Sequence, residues 1–119
     1  MNWRKLKIWQ ETHSLVLEIY RVTSAFPKSE TYGLVNQLKR ASFSIPANVV
    51  EGQSKNTTKE YIHFLYHARG SLEEVRYFLY LSLELKFLPT NEYEKLEKRY
   101  ESASKMLNGL IKSLKSNTE

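Results

Sequence analysis

A proline set inside a helical repeat restricts what this chain can fold into. Leu34, Val35, Leu38, Ala41, Ile45 and Val49 recur at the spacing of one helix face, and Pro46 stands among them. Proline there removes a backbone donor and crowds the turn before it. In an isolated helix that costs about 3 kcal/mol. The segment is therefore read as a kinked helix held in a core. Ser42, Ser44 and Asn48 place short hydrogen-bonding groups beside the Ser42 carbonyl that Pro46 leaves without its N–H partner. Two short helices with a turn at Ser44 to Pro46 are the alternative, which the unbroken spacing out to Val49 disfavours.

The rest of the chain supplies three more helical patterns. The first spans Leu6 to Ala25, with Trp9, Thr12, Leu15, Val16, Ile19, Thr23 and Phe26 on its stripe, and Phe26-Pro27 ends it. Ser29 and Glu30 read as the N-cap and first-turn charge of the proline-bearing helix, which Gly52 closes. Thr57 to Glu60 has the form of a capping box, opening a third helix that runs to about Leu88. Its inner stripe is Tyr61, Phe64, Leu65, Ala68, Ser71, Leu72, Val75, Phe78, Leu79 and Ser82. Ile62, Tyr66, Tyr77, Tyr80, Leu81 and Leu83 lie off that seam, and this added apolar surface calls for a second subunit or a ligand. Gly70-Ser71 suggests a close approach of another helix, with the proline-bearing one as the candidate. After Leu88-Pro89, Thr90 or Asn91 caps a fourth helix that buries Tyr93, Leu96, Tyr100, Ala103, Leu107, Leu110, Ile111 and Leu114 and frays over Ser116 to Glu119. Short connections make an antiparallel up-down-up-down four-helix bundle, all-α and a single domain over residues 1–119, the expected packing.

Composition agrees. All 13 acidic residues are glutamate, which favours helices where aspartate favours caps and turns. The absence of cysteine excludes disulfides and thiolate metal sites and fits a reducing, cytoplasmic location. No apolar run reaches the length of a signal peptide or a membrane span, so a soluble protein with no membrane partner is expected.

Candidate chemistry is sparse. His63 and His67 share a helix face, and Glu60-x-x-His63 has the spacing used by carboxylate-bridged di-iron bundles. A second copy and two further glutamates are missing, so a surface histidine pair is the preferred reading and neither metal nor cofactor is assigned. No serine or cysteine nucleophile and no phosphate-cradling glycine loop is present, and no arginine closely precedes a histidine, so no catalytic residue is named. Glu51 is read as pairing with Arg40 or serving a cap.

The net charge of +5 lies almost wholly in residues 1–60, which hold nine basic against five acidic side chains. Lys39, Arg40, Lys55 and Lys59 form one basic group, and Arg4, Lys5 and Lys7 another. If the two share a face they can contact phosphates with little sequence choice.

Gln37 to Ala41, Ser44 to Asn48, Glu51-Gly52, Phe64-Leu65, Ala68 and Gly70 to Glu74 together resemble the signature of the four-helix-bundle proteins encoded in 23S rRNA intervening sequences. Leu6 to Gln10, Phe26-Pro27 and Tyr32 to Leu34 extend the likeness to nearly the whole chain. Val49-Val50 stands where isoleucine-alanine is usual, and Val75 where leucine is common. The resemblance implies a homopentamer of antiparallel bundles and a tie to the accessory protein of diversity-generating retroelements, a basic pentameric barrel that binds nucleic acid and a reverse transcriptase. It implies a structural role for Arg40, Ser44, Pro46, Asn48, Glu51 and Gly52, alongside Gly70 and Ser71 of the signature. The family's name reports gene location, and no molecular role is established for it. The expectation is a non-enzymatic oligomeric scaffold that binds RNA or DNA through phosphates, with Tyr77, Tyr80 and Leu81 at the subunit interface. The alternative is a protein-interaction module docking a partner such as a polymerase through the aromatic third-helix surface.

Overall fold

In the computed structural model, residues 2–117 are described. They form a short 3-10 turn, Trp3–Lys5, followed by α1 (Lys7–Thr23), a second 3-10 turn at Lys28–Glu30, α2 (Leu34–Gln53), α3 (Thr58–Glu84) and α4 (Thr90–Ser116). Contacts run round the bundle in chain order, α1 with α2, α2 with α3, α3 with α4, and α4 with α1; the most extensive join α2 to α3. Cross-helix pairs fix the directions. Arg76 meets Glu97 and Arg69 meets Asn108, so α3 and α4 run oppositely. Arg99 meets Glu11 and Arg21 meets Glu92, so α1 and α4 also run oppositely. Trp3 lies beside Val50 and Gln53 while Tyr20 lies under Lys39, so α1 also opposes α2. The bundle is up-down-up-down, as the short connections require.

α2 runs through Pro46 as one helix, and Pro46 is itself buried. Leu38, Ile45 and Val49 on the same face are fully buried. Each such side chain contributes about 1.5–3 kcal/mol on leaving water, so three of them outweigh the roughly 3 kcal/mol that proline costs. The polar side chains around the break act differently from expectation. Ser42 Oγ donates to the Lys39 carbonyl, Ser44 Oγ to the Arg40 carbonyl and Asn48 Nδ2 to the Ser44 carbonyl. They brace the turns on both sides, but none of the three donates to the Ser42 carbonyl.

Glycine roles are exchanged relative to the sequence reading. Gly70 is exposed, and a Cβ there would meet nothing within 4 Å, so no helix approaches it. Gly52 does not close α2 with left-handed backbone; it is buried inside the last turn, and Gln53 and Ser54 follow it. A Cβ on Gly52 would lie 2.8 Å from Tyr61 Cδ1 and 3.1 Å from Phe64 Cβ. It is the glycine that lets α3 come close.

Helix ends also shift. α3 stops at Glu84 rather than Leu88 because Lys86 turns left-handed, with φ 65°. Its N–H donates to the Leu83 carbonyl at 3.0 Å and that of Phe87 to the Ser82 carbonyl at 2.9 Å, the reciprocal pair that terminates a helix. Phe87 and Leu88 then fold back onto the core, Phe87 against Phe26. Ser29 falls in a 3-10 turn; Gly33 precedes α2, and the Leu34 N–H donates to the Glu30 carboxylate. α4 starts directly after Pro89, with neither Thr90 nor Asn91 capping it through a side chain. Thr57 does cap α3, accepting from the Glu60 N–H at 3.1 Å while its hydroxyl donates to the Glu60 carboxylate. Of the expected fraying at Ser116 to Glu119, Thr118 and Glu119 lie outside the described residues.

The core follows the expected stripes with four additions, Leu88 beyond the end of α3 being one. Ile8, Val22 and Ile62 are buried, whereas Trp9, Val16, Tyr93, Leu110 and Leu114 are half-buried. Tyr100 is fully buried and its hydroxyl has no hydrogen-bond partner among the described residues. Burial pushes its phenol well above the ordinary tyrosine range.

Two expectations follow. Gly52→Ala should destabilise the fold by about 1–3 kcal/mol through overpacking, whereas Gly70→Ala should stabilise it by up to about 1 kcal/mol through helix propensity, both read from urea melts. Tyr100→Phe should raise stability at neutral pH by about 1 kcal/mol by removing an unpaired buried hydroxyl. Because the folded phenol ionises later than the unfolded one, its contribution is intact below pH about 10 and declines as pH rises further. The Phe variant should therefore lose less stability in alkali than the native chain.

Candidate nucleic-acid interface

The antiparallel arrangement brings the start of α1, the end of α2, the start of α3 and the end of α4 to one end of the bundle. Residues 2–14, 44–71 and 103–117 make up that half. It carries Arg4, Lys5, Lys7, Lys55, Lys59, Arg69, Lys105, Lys112 and Lys115 against only Glu11, Glu51 and Glu60. His13, His63 and His67 lie there too. The opposite half holds nine basic and nine acidic residues. The chain's positive surplus is thus a property of one end.

The two halves also treat their cations differently. In the balanced half, Arg21 bridges Glu18 and Glu92, both at 2.9 Å, and Arg76 bridges Glu73 and Glu97. The hydrogen bond from Arg21 holds the Glu18 carboxyl below its usual range. At the basic end, among the described residues, Arg4, Lys5, Lys7, Lys55, Lys59 and Lys112 meet no carboxylate at ion-pair distance. Of these six, Arg4 and Lys55 rest on aromatic rings, and Arg69 and Lys115 of the same end also lie against one. The Arg4 guanidinium lies 4.2 Å from the centre of Trp3, Lys55 Nζ 5.0 Å from Phe64, and Arg69 and Lys115 lie 4.7 and 5.2 Å from Tyr66. The three carboxylates there do little to neutralise them. Glu11 is taken by Arg99 and Glu60 accepts the Thr57 hydroxyl.

Local sequence explains the placement. Asn2 caps the first 3-10 turn by accepting from the Arg4 N–H, and Gln10 Nε2 donates to the Arg4 carbonyl at 2.9 Å, tying the segment to α1. Trp3 packs against Trp9 at a tilt of 57°, and Trp9 lies parallel to His13 at 4.7 Å. Trp3 also borders a recess with Val50, Gln53 and Ser54. Across the end of the bundle, Lys59, Ile62, His63, Tyr66 and Lys115 line a second recess, and Lys55, Lys59, Glu60, His63 and Phe64 a third beside it.

Of the basic residues singled out in the sequence, Arg4, Lys5, Lys7, Lys55 and Lys59 come together. Lys39 and Arg40 do not. They belong to the balanced half, roughly 20 Å back along α2 from Gln53 at 1.5 Å per residue, and Lys39 Nζ sits 4.5 Å from the centre of Tyr20. Glu51 is exposed and does not pair with Arg40, which is eleven residues and about 16 Å away along the same helix. Arg69, Lys112 and Lys115 join the basic end although a count along the chain hides them. The glutamates of residues 73–101 mask them there, and only folding the charges onto the up-down pattern separates the two groups.

The residues expected at a subunit interface divide. Tyr77 and Tyr80 are 59% and 49% exposed, whereas Leu81 is half-buried against the core. Leu17, Tyr20 and Phe43 add exposed apolar surface on α1 and α2. Ser71 is half-buried within α3. Among the described residues no three histidine or carboxylate side chains converge, and no helix is long and apolar enough to cross a membrane.

No curated protein sequence matches the chain. A crystal structure of a protein of unknown function from the S23 ribosomal protein family of Bacteroides thetaiotaomicron is similar in fold, with a TM-score of 0.79 over 88% of this chain and 98% of the other at 20% identity. The model of the 23S rRNA-intervening sequence protein family matches residues 4–109. With that match running from before α1 into α4, the chain belongs to the 23S rRNA-intervening sequence protein family.

Proposed function

We propose that this chain is a non-catalytic helical module that binds RNA or DNA through phosphate contacts at the basic end of its bundle. The segregation of charge carries the reading: nine cations face three carboxylates at one end, while the other end is balanced. Ring-supported cations suit phosphates because an aromatic face positions a positive charge without cancelling it. Trp3, Phe64 and Tyr66 stand beside those cations, and stacking on such rings favours single-stranded or looped nucleic acid over regular duplex. Recognition of this kind is sequence-tolerant and steeply dependent on salt.

Self-association belongs to the same proposal. Tyr77 and Tyr80 expose more surface on α3 than a solitary bundle needs, and a homopentamer that covers them would set several basic ends side by side. Five copies would multiply phosphate contacts without any change in the single site.

Fluorescence anisotropy with a structured RNA tests the binding. Six phosphate contacts on unpaired strands give a slope of log affinity against log salt of about −4. Lys55→Glu with Lys59→Glu should weaken binding by about tenfold or more, and Lys39→Glu with Arg40→Glu by no more than about threefold. Absence of binding at low salt, or equal losses in the two double variants, would overturn the assignment. Sedimentation addresses the assembly: the native chain should exceed monomer mass, and Tyr77→Glu with Tyr80→Glu should lower it. A monomeric native chain without RNA affinity would leave the tyrosine face as a docking surface for a different protein.

A further inference from the structure

We propose that His63 and His67 form a bidentate chelate for a borderline divalent transition metal, Zn2+ foremost. The two imidazoles project from one exposed face of α3 with their Nε2 atoms 3.2 Å apart. Two imidazole nitrogens bound to one tetrahedral zinc at 2.0–2.1 Å stand about 3.3 Å from each other. The metal-free pair is already at that separation. Without a metal it is a hydrogen bond, one Nε2–H donating to the other Nε2. Zinc takes the place of the shared proton: the donor ring carries its hydrogen on Nδ1 instead, and both Nε2 lone pairs go to the metal.

The surroundings define what such a site holds. The rings stand at 87° with centroids 4.7 Å apart, and Phe64 lies against both, 5.9 Å from His63 and 6.3 Å from His67. With no third protein ligand among the described residues, water or an oxygen ligand completes the coordination. Lys55, Lys59 and Lys115 border His63 from the loop after α2, from α3 and from α4, and oppose a cation through solvent. Glu60, one turn before His63, carries the opposite sign. Imidazole ligands select zinc, nickel and copper over magnesium and calcium, which want oxygen. Open positions beside three lysines also suit an anionic oxygen as the remaining ligand. The chelate itself requires only the two histidines and stands whether or not the chain binds nucleic acid.

Calorimetric titration of the untagged full chain with Zn2+ alone, near neutral pH, tests it. One Zn2+ per chain should bind in the micromolar range, and Mg2+ should not compete. His67→Ala and His63→Ala should each weaken binding by about tenfold or more, as loss of one of two ligands demands; His13→Ala, stacked on Trp9, should leave it unchanged. Both imidazoles are exposed, so circular dichroism of the two alanine variants should match the native chain. Binding should also weaken on acidification, because only neutral imidazoles ligate. No saturable binding up to millimolar Zn2+, or native affinity in His67→Ala and His63→Ala, would overturn the chelate.

Discussion

The packing of α2 on α3 is the contact on which the rest of this bundle depends. Pro46 makes α2 a poor helix alone, so its shape must be imposed by what covers it. Leu38, Ile45 and Val49 supply the apolar face, and Leu65, Leu72 and Val75 of α3 are equally inaccessible to solvent. Gly52 allows the closest approach by leaving room for Tyr61 and Phe64. Gln53 Nε2 then donates to the Tyr61 hydroxyl at 2.6 Å, joining the ends of the hairpin across the short loop. α1 and α4 complete the ring against surfaces that this hairpin presents.

The same topology sorts the charges. In an up-down bundle, residues near the two termini and around the middle connection share one end, while the first and third connections share the other. A chain with its cations near residues 4–7, 55–69 and 105–115 therefore becomes polar along its axis without any long run of like charge. The 48 Å length of the molecule far exceeds the roughly 8 Å over which physiological salt screens a charge, so carboxylates at the far tip do not neutralise cations at the basic tip. A diffusing polyanion meets the two ends as different surfaces.

Much of the fold was legible because helix periodicity is a local signal. The stripes of α1, α3 and α4, the Thr57 cap and the continuity of α2 past Pro46 all follow from spacing and cap chemistry. The failures lie where tertiary contacts decide. Gly70 and Gly52 look alike in the sequence, yet only packing tells which one faces a neighbour. Leu88-Pro89 looks like the stop for α3, but Lys86 ends it four residues earlier by adopting left-handed backbone, a conformation its side chain does not advertise. The grouping of Lys39 and Arg40 with Lys55 fails because adjacency along a helix is measured in ångströms per residue, not in sequence neighbourhood. The pairing of Arg69, Lys112 and Lys115 with the amino-terminal cations required the topology first.

What distinguishes the basic end is not only how many cations it has but what holds them. A carboxylate beside a lysine fixes its position and cancels its charge, whereas an aromatic ring fixes the position and leaves the charge intact. Such contacts contribute about 0.5–1 kcal/mol at exposed sites, enough to bias a flexible side chain yet less than a charge-assisted bond to phosphate at about 1.5–3 kcal/mol. Arg4 on Trp3 and Lys55 on Phe64 are thus held in place but can be surrendered to a stronger anion. Arg76, bound between Glu73 and Glu97, has no such freedom: to reach a phosphate it would have to give up carboxylates on two helices and leave them unpaired. The balanced end spends its charges on joining α3 to α4 and α1 to α4, whereas Arg4 and Lys55 at the basic end stay available.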